Sequence, residues 1–129
     1  MPYRFVITQD GRCLRRIGEG VLTGQEIIRA VRALPEEVPE PERITHGLVD
    51  LTAVTRLEIT TAELETIATL DRGHSQRFQV TRVAIVAPTD LAFGLARMYE
   101  AAVAQVGWEV RVVRDLPSAE AWLAEMGDH

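Results

Sequence analysis

The stretch Leu48–Glu65, LVDLTAVTRLEITTAELE, constrains the fold of this chain more than any other. Leu48 and Val49 lead an apolar strand into Asp50. Thr60 is a good helix N-cap, and Glu63 stands three residues later, which makes a capping box. Ile59 and Leu64 fall at the two ends of a hydrophobic staple. A strand, a short polar loop over Thr52–Glu58 and a well-started helix therefore follow one another directly. In an open α/β sheet, the rim where strands end and helices begin is where ligands and partners meet the fold.

The remaining segments extend that pattern. Tyr3–Gln9 alternates, with Tyr3, Phe5 and Ile7 on one face, and predicts a strand. Asp10-Gly11 predicts a two-residue hairpin turn, since both positions take positive φ. Arg12–Ile17 returns as a second strand, and Arg12, Arg15 and Arg16 mark it as a solvated edge. Thr23 opens the first helix with a second capping box to Glu26 and a staple from Leu22 to Ile27. Ile27, Ile28, Val31 and Leu34 form its apolar stripe, and Pro35 stops it. Pro35–Glu42, PEEVPEPE, is a stiff acidic connector.

His46–Leu51 is the third strand and Thr60–Leu70 the second helix, with a narrow stripe of Leu64, Ile67 and Ala68 that extends toward Asp71. Asp71–Gln79 gathers Arg72, His74 and Arg77, where arginines complement the dipole of a helix end. Arg82–Ala87, RVAIVA, reads as a strand buried on both faces. A helix follows to about Val106, capped by Thr89 or Asp90, with Leu91, Leu95, Met98, Ala102 and Val106 as its core stripe, joined by Tyr99 and Val103. Phe93 lies about 200° around from Leu91 and so off that stripe. Gly107 suits a C-cap. Glu109–Val113 is the last strand and Pro117–Met126 the last helix. The order β-β-α-β-α-β-α-β-α predicts a mixed α/β sheet of about five strands. An N-terminal antiparallel hairpin precedes parallel strands joined by right-handed crossover helices. At 129 residues this is one domain.

Composition narrows the function. The net charge is −5, with 14 arginines and no lysine, so the chain lacks the basic surplus of a nucleic-acid binder. With one cysteine it has no intramolecular disulfide, and Cys13 reads as a small buried hydrophobe. No apolar run reaches the roughly 18 residues of a membrane span, and MPYRFVITQDG has no signal-peptide layout. A cytoplasmic location is expected. Neither a GxGxxG nor a GxxxxGK[ST] motif occurs, His46, His74 and His129 are dispersed, and Ser75 and Ser118 sit in no nucleophile elbow. No cofactor is expected. Asp50, Asp90 and Asp115 each follow a parallel strand. They form a distant candidate for a Mg²⁺-dependent enzyme site, against the simpler expectation of two helix caps and an Asx turn.

HGLVDLTAVTRLEITTAEL, RVAIVAPTDLAFGLARMYE and VRVVRDLPSAEAWL together resemble the small bacterial SpoIIAA-like proteins, relatives of STAS domains. The most specific pieces are Arg82-x-Ala84-x-Val86, Gly94-x-x-Arg97 and Ala121-Trp122-Leu123. The resemblance covers nearly the whole chain and implies an α/β fold without established enzymatic activity. STAS anti-sigma-factor antagonists carry a phosphorylated Ser in an Asp-Ser pair at a helix start. Here that stretch reads Leu57-Glu58-Ile59-Thr60-Thr61, so the pair is missing and Glu58 with Thr60 or Thr61 stands nearest to it.

The expected function is a non-enzymatic regulatory or protein-interaction module. It would use the rim of Thr52–Thr61 and Pro88–Arg97, with Asp50, Thr52, Glu58, Thr60, Thr61, Asp90, Phe93 and Arg97 as contact residues. A protein partner is expected and a homodimer is allowed. The SpoIIAA-like branch also resembles CRAL-TRIO lipid-binding domains in fold. That implies the alternative of a small amphipathic ligand, or a membrane surface, engaged through the Phe93 helix and Arg97.

Overall fold

The computed structural model describes residues 2–125. Met126, at the end of the last expected helix, and His129 lie outside the described residues. Ten elements carry the fold: β1 (Tyr3–Thr8), β2 (Cys13–Thr23), α1 (Gly24–Arg32), α2 (Leu34–Glu37), β3 (His46–Glu58), α3 (Thr61–His74), β4 (Arg82–Val86), α4 (Asp90–Ala102), β5 (Glu109–Val113) and α5 (Leu116–Ala124). The sheet order is β1-β2-β3-β4-β5, antiparallel between β1 and β2 and parallel elsewhere.

That order dictates where the helices go. Each crossover from β2 to β5 steps the same way across the sheet, and right-handed crossovers taken in one direction stay on one face. Accordingly α1 buries Ile27, Ile28 and Val31 with Tyr3 and Leu22 of the sheet and Ile67 of α3. α4 sets Ala92 and Ala96 on Val83 and Ile85. α5 has no following strand and covers the other face, where Ala119, Trp122 and Leu123 meet Cys13, Leu48, Ala84 and Val86. The run RVAIVA is thus buried on both sides, as its uniform apolarity predicts.

Several boundaries differ from the sequence expectations, each for a physical reason. The hairpin loop is four residues, Gln9–Arg12, between paired Thr8 and Cys13, and Gln9, Asp10 and Gly11 all take positive φ. β1 is the sheet edge; β2 lies between β1 and β3 and is not the solvated edge its arginines suggested. Pro35 does not end helical structure but occupies the first turn of α2, where its missing N–H costs nothing. The segment Thr52–Glu58 is no loop. It continues β3, paired with β2 out to Thr23↔Glu58 through two register shifts. Thr52, Val54 and Thr55 are β-branched and no Gly or Pro interrupts them, so the chain stays extended once β2 runs alongside. β4 stops at Val86, opposite Asp50, and so the far half of β3 pairs on one side only.

α4 is rotated from the expected stripe. Its buried residues are Ala92 and Ala96, while Leu91 is 60% and Met98 44% exposed. Two alanines let the helix sit close on Val83 and Ile85, which turns the larger Leu91 and Met98 outward. After Ala102 a short 3-10 turn, Ala104–Val106, leads to Gly107 in the left-handed region at φ 94°. Among the described residues no helix is long and apolar enough to cross a membrane.

Candidate functional site

The residues expected along the rim turn out to be strongly tied into local structure. Asp50 Oδ1 accepts from the Thr52 backbone N–H at 2.9 Å and from its hydroxyl at 2.7 Å, an Asx-type turn inside the strand. Thr60 caps α3: its hydroxyl accepts from Glu63 N–H at 3.1 Å, and Glu63 Oε1 accepts from Thr60 N–H at 2.9 Å. That backbone donor, with Gln25 on the other oxygen at 3.0 Å, holds the Glu63 carboxyl below its usual pKa. Thr61 is exposed at the first helical position. Glu58 pairs with Arg56 at 2.6 Å.

Across the rim, Asp90 accepts from Arg114 Nη1 at 2.9 Å, and the Arg114 guanidinium stacks over the Phe93 ring at 4.2 Å. Phe93 is therefore half-buried under Arg114 and does not form an open apolar first turn. Arg97 is exposed, with Glu100 3.6 Å away. Asp115 caps α5, accepting from Ser118 N–H at 2.8 Å, and that bond lowers its pKa. Asp50, Asp90 and Asp115 each spend a carboxylate oxygen on a separate local partner. Among the described residues no three acidic, His or Cys groups are gathered to hold a metal ion.

The structure brings together a different set beneath α3 and α4. Arg16 and Asp71, 55 residues apart, form a two-pronged ion pair, with Nη1 to Oδ2 at 3.0 Å and Nη2 to Oδ1 at 2.9 Å. The Tyr99 hydroxyl donates to Asp71 Oδ2 at 2.6 Å. Asp71 is 1% exposed, which makes it the most deeply buried charged residue among those described. Burial works against the Arg16 charge, but Asp71, with Tyr3 and Tyr99, outweighs it and raises the Arg16 pKa. Burial also pushes the Tyr99 hydroxyl well above its usual value, reinforced by Asp71, and raises that of Tyr3.

The cluster floors an apolar cavity of about 70 Å³ between α3, α4 and the sheet. Leu57, Ile59, Leu64, Ile85 and Leu95 wall it, and its polar groups come from Tyr3, Arg16 and Tyr99. A second cavity of about 30 Å³ lies beyond the ion pair, where Asp71 and His74 face Phe78 and Trp108. A larger groove, about 530 Å³, lies between β1 and α1 and is edged by the charged side chains of Arg4, Glu26, Arg29 and Glu37. The 70 Å³ cavity is the better candidate because apolar walls with a few convergent polar groups define small-ligand sites.

Two signals in the sequence pointed toward this cluster. Asp71 continues the stripe of Leu64, Ile67 and Ala68, and a carboxylate on a buried helix face requires a cation. Arg16 shares its strand face with Leu14, whose place in the core is fixed by Leu34 and Ile44. Reading Arg16 as a solvated edge residue hid the pair. The basic residues near the end of α3 are also structural: Arg72 donates to Ala102 O at 2.7 Å, and His74 Nε2 lies 3.0 Å from Val31 O, tying α3 to α4 and α1.

An antiparallel edge strand, four parallel strands in sequence order and helices split unevenly over the two faces define the SpoIIAA-like fold, and this protein has it. The solved structure of an uncharacterized protein of the DUF3478 family from Shewanella loihica PV-4, described as having a SpoIIAA-like fold, matches with a TM-score of 0.60. The two share 21% sequence identity over 94% of this chain and 91% of the other, a likeness that concerns the fold. No family model matches the chain, and no curated protein matches it.

Proposed function

We propose that this protein is a non-catalytic binding module that takes a small apolar or amphipathic ligand between α3, α4 and the sheet. The cavity of about 70 Å³ beneath Leu95 and Ala96 carries this reading. A ligand there would lie under the helix that the CRAL-TRIO resemblance singled out, with Ala92, Leu95 and Ala96 as its apolar border in place of Phe93. Hexane and 1-hexanol are suitable probes, and either should raise the melting temperature of the wild-type protein by mass action. Ala96→Leu fills the space and should abolish the rise. A wild-type melting temperature indifferent to both probes would refute the proposal.

A second reading retains the rim as a protein-interaction surface. It is favoured by the far half of β3, Leu51–Glu58, whose backbone pairs with β2 and has no β4 partner. A strand from a protein partner, or from a second copy of this chain, would add to that edge. Thr61, exposed beside it, is the better-placed threonine for a phosphate, since the Thr60 hydroxyl is held in the cap. Amide exchange in the isolated monomer should be fast at the unpaired N–H groups between Leu51 and Glu58. Protection there equal to that of β4 would exclude an available edge.

A further inference from the structure

The polar groups around the cavity specify more than an apolar occupant. Arg16 has five N–H donors, as any guanidinium does, and two of them go to Asp71. Asp71 lines the second cavity and not the first. Its hydrogen bonds come from Arg16 and Tyr99, and none comes from the Tyr3 hydroxyl. Tyr3 and Arg16 both line the first cavity, and what they can offer it are donors, the Tyr3 O–H and the guanidinium N–H groups not bonded to Asp71. Tyr99 already donates to Asp71 and has only oxygen lone pairs left.

Charge decides which acceptor those donors can meet. The Arg16 cation is already neutralised by Asp71 at 2.9 Å. A carboxylate or phosphate would be a second anion on one buried cation, and it would have to shed its hydration to get there. An ammonium group would be a second cation beside Arg16. A neutral acceptor leaves the charge balanced and satisfies the free donors.

We infer that the ligand of this cavity presents an uncharged hydrogen-bond acceptor, a ketone, ester or alcohol oxygen on a short alkyl chain, to Arg16 and Tyr3. This rests on the proposed function and names its ligand class. Size agrees with a short chain. The cavity holds about 70 Å³, whereas a cavity that accommodates benzene measures roughly 150 Å³. Half-buried Ile59 and Leu95 border it, and a longer chain would pass between them.

The test is a matched series of six-carbon probes: 2-hexanone, 1-hexanol, hexanoate, hexylammonium and hexane. Apparent dissociation constants come from thermal shift at neutral pH. The ketone and alcohol should bind roughly five-fold tighter than hexane, the increment of a neutral hydrogen bond. They should bind at least about ten-fold tighter than either ion, because an unpaired buried charge is costly. Tyr3→Phe removes one of the two donor groups, so it should bring 2-hexanone part of the way toward the hexane level and leave hexane unchanged; the ratio is taken within one variant, so a general loss of stability does not enter it. Hexanoate binding tightest, or hexane binding as well as 2-hexanone, would overturn the head-group inference and leave the cavity reading standing. No binding by any probe would overturn both, and the wild-type series alone decides the matter if Tyr3→Phe does not fold.

Discussion

Removing the carboxylate charge of Asp71 should destabilise the protein more than almost any other single change. Asp71 is 1% exposed, and the Arg16 side chain is 13% exposed and held by both carboxylate oxygens. In Asp71→Asn, Arg16 keeps its charge but loses its counter-charge in a site that water barely reaches. Breaking a buried pair in this way costs about 3–5 kcal/mol. The amide oxygen still accepts from one donor, so Asp71→Asn should lie near the lower end, about 3 kcal/mol, and Asp71→Leu near the upper. A domain of this size has about 5–15 kcal/mol in total, so the variant folds and can be measured. Urea denaturation followed by circular dichroism gives the difference as a lower midpoint at unchanged slope. The double variant Arg16→Met/Asp71→Leu removes both charges and should be more stable than Asp71→Leu alone, since no unpaired ion remains. A loss below about 1 kcal/mol in Asp71→Asn, or a double variant as unstable as the sum of its singles, would refute the account of a dry, mutually dependent pair.

Three further outcomes follow from the same structure. Both tyrosines of the chain, Tyr3 and Tyr99, belong to this cluster, and burial raises both pKa values above the ordinary 10.0. The folded state therefore holds these protons more tightly than the unfolded state, so this contribution to stability is complete below pH 10 and is lost as pH rises beyond it. Absorbance at the phenolate wavelength should stay flat through pH 10 and then rise together with unfolding, and a reversible rise centred at 10 in the folded protein would contradict the burial. Thr60→Ala removes the α3 cap and should cost about 1 kcal/mol in chemical denaturation while Thr60→Ser costs less; equal losses would show that the hydroxyl bond to Glu63 N–H contributes nothing. Trp122, buried between the Arg82 and Arg111 guanidinium groups at 4.8 and 5.0 Å, anchors α5, and Trp122→Ala should cost about 3–5 kcal/mol; a loss under about 1 kcal/mol would mean that α5 is dispensable to the fold.

The local signals were legible because each depends on residues a few positions apart. Both capping boxes, at Thr23 with Glu26 and at Thr60 with Glu63, form as their spacing predicts. Gly107 takes the left-handed conformation that suits a chain leaving a helical turn. The candidate site was legible only in its outline. Of the expected rim, Thr52–Glu58 continues β3, Asp50, Asp90 and Asp115 hold a turn, an arginine and a cap, and Phe93 lies beneath Arg114. The alternation of Leu14 and Arg16 and the approach of Asp71 to the α3 stripe were visible, but each half lacked its partner.

By itself the sequence determined the kinds of elements, their order and most of their starting points, since backbone capping, turn conformations and apolar periodicity act over short separations. Tertiary structure decided the rest. It continued β3 through Thr52–Glu58 because β2 runs beside it, turned Leu91 and Met98 outward because Ala92 and Ala96 fit the sheet, and joined Arg16 to Asp71 across 55 residues. Pairing, close packing and the neutralisation of a buried charge depend on groups distant along the chain. They exist only after the strands have taken their order, and that order also places α3 and α4 together over the cavity.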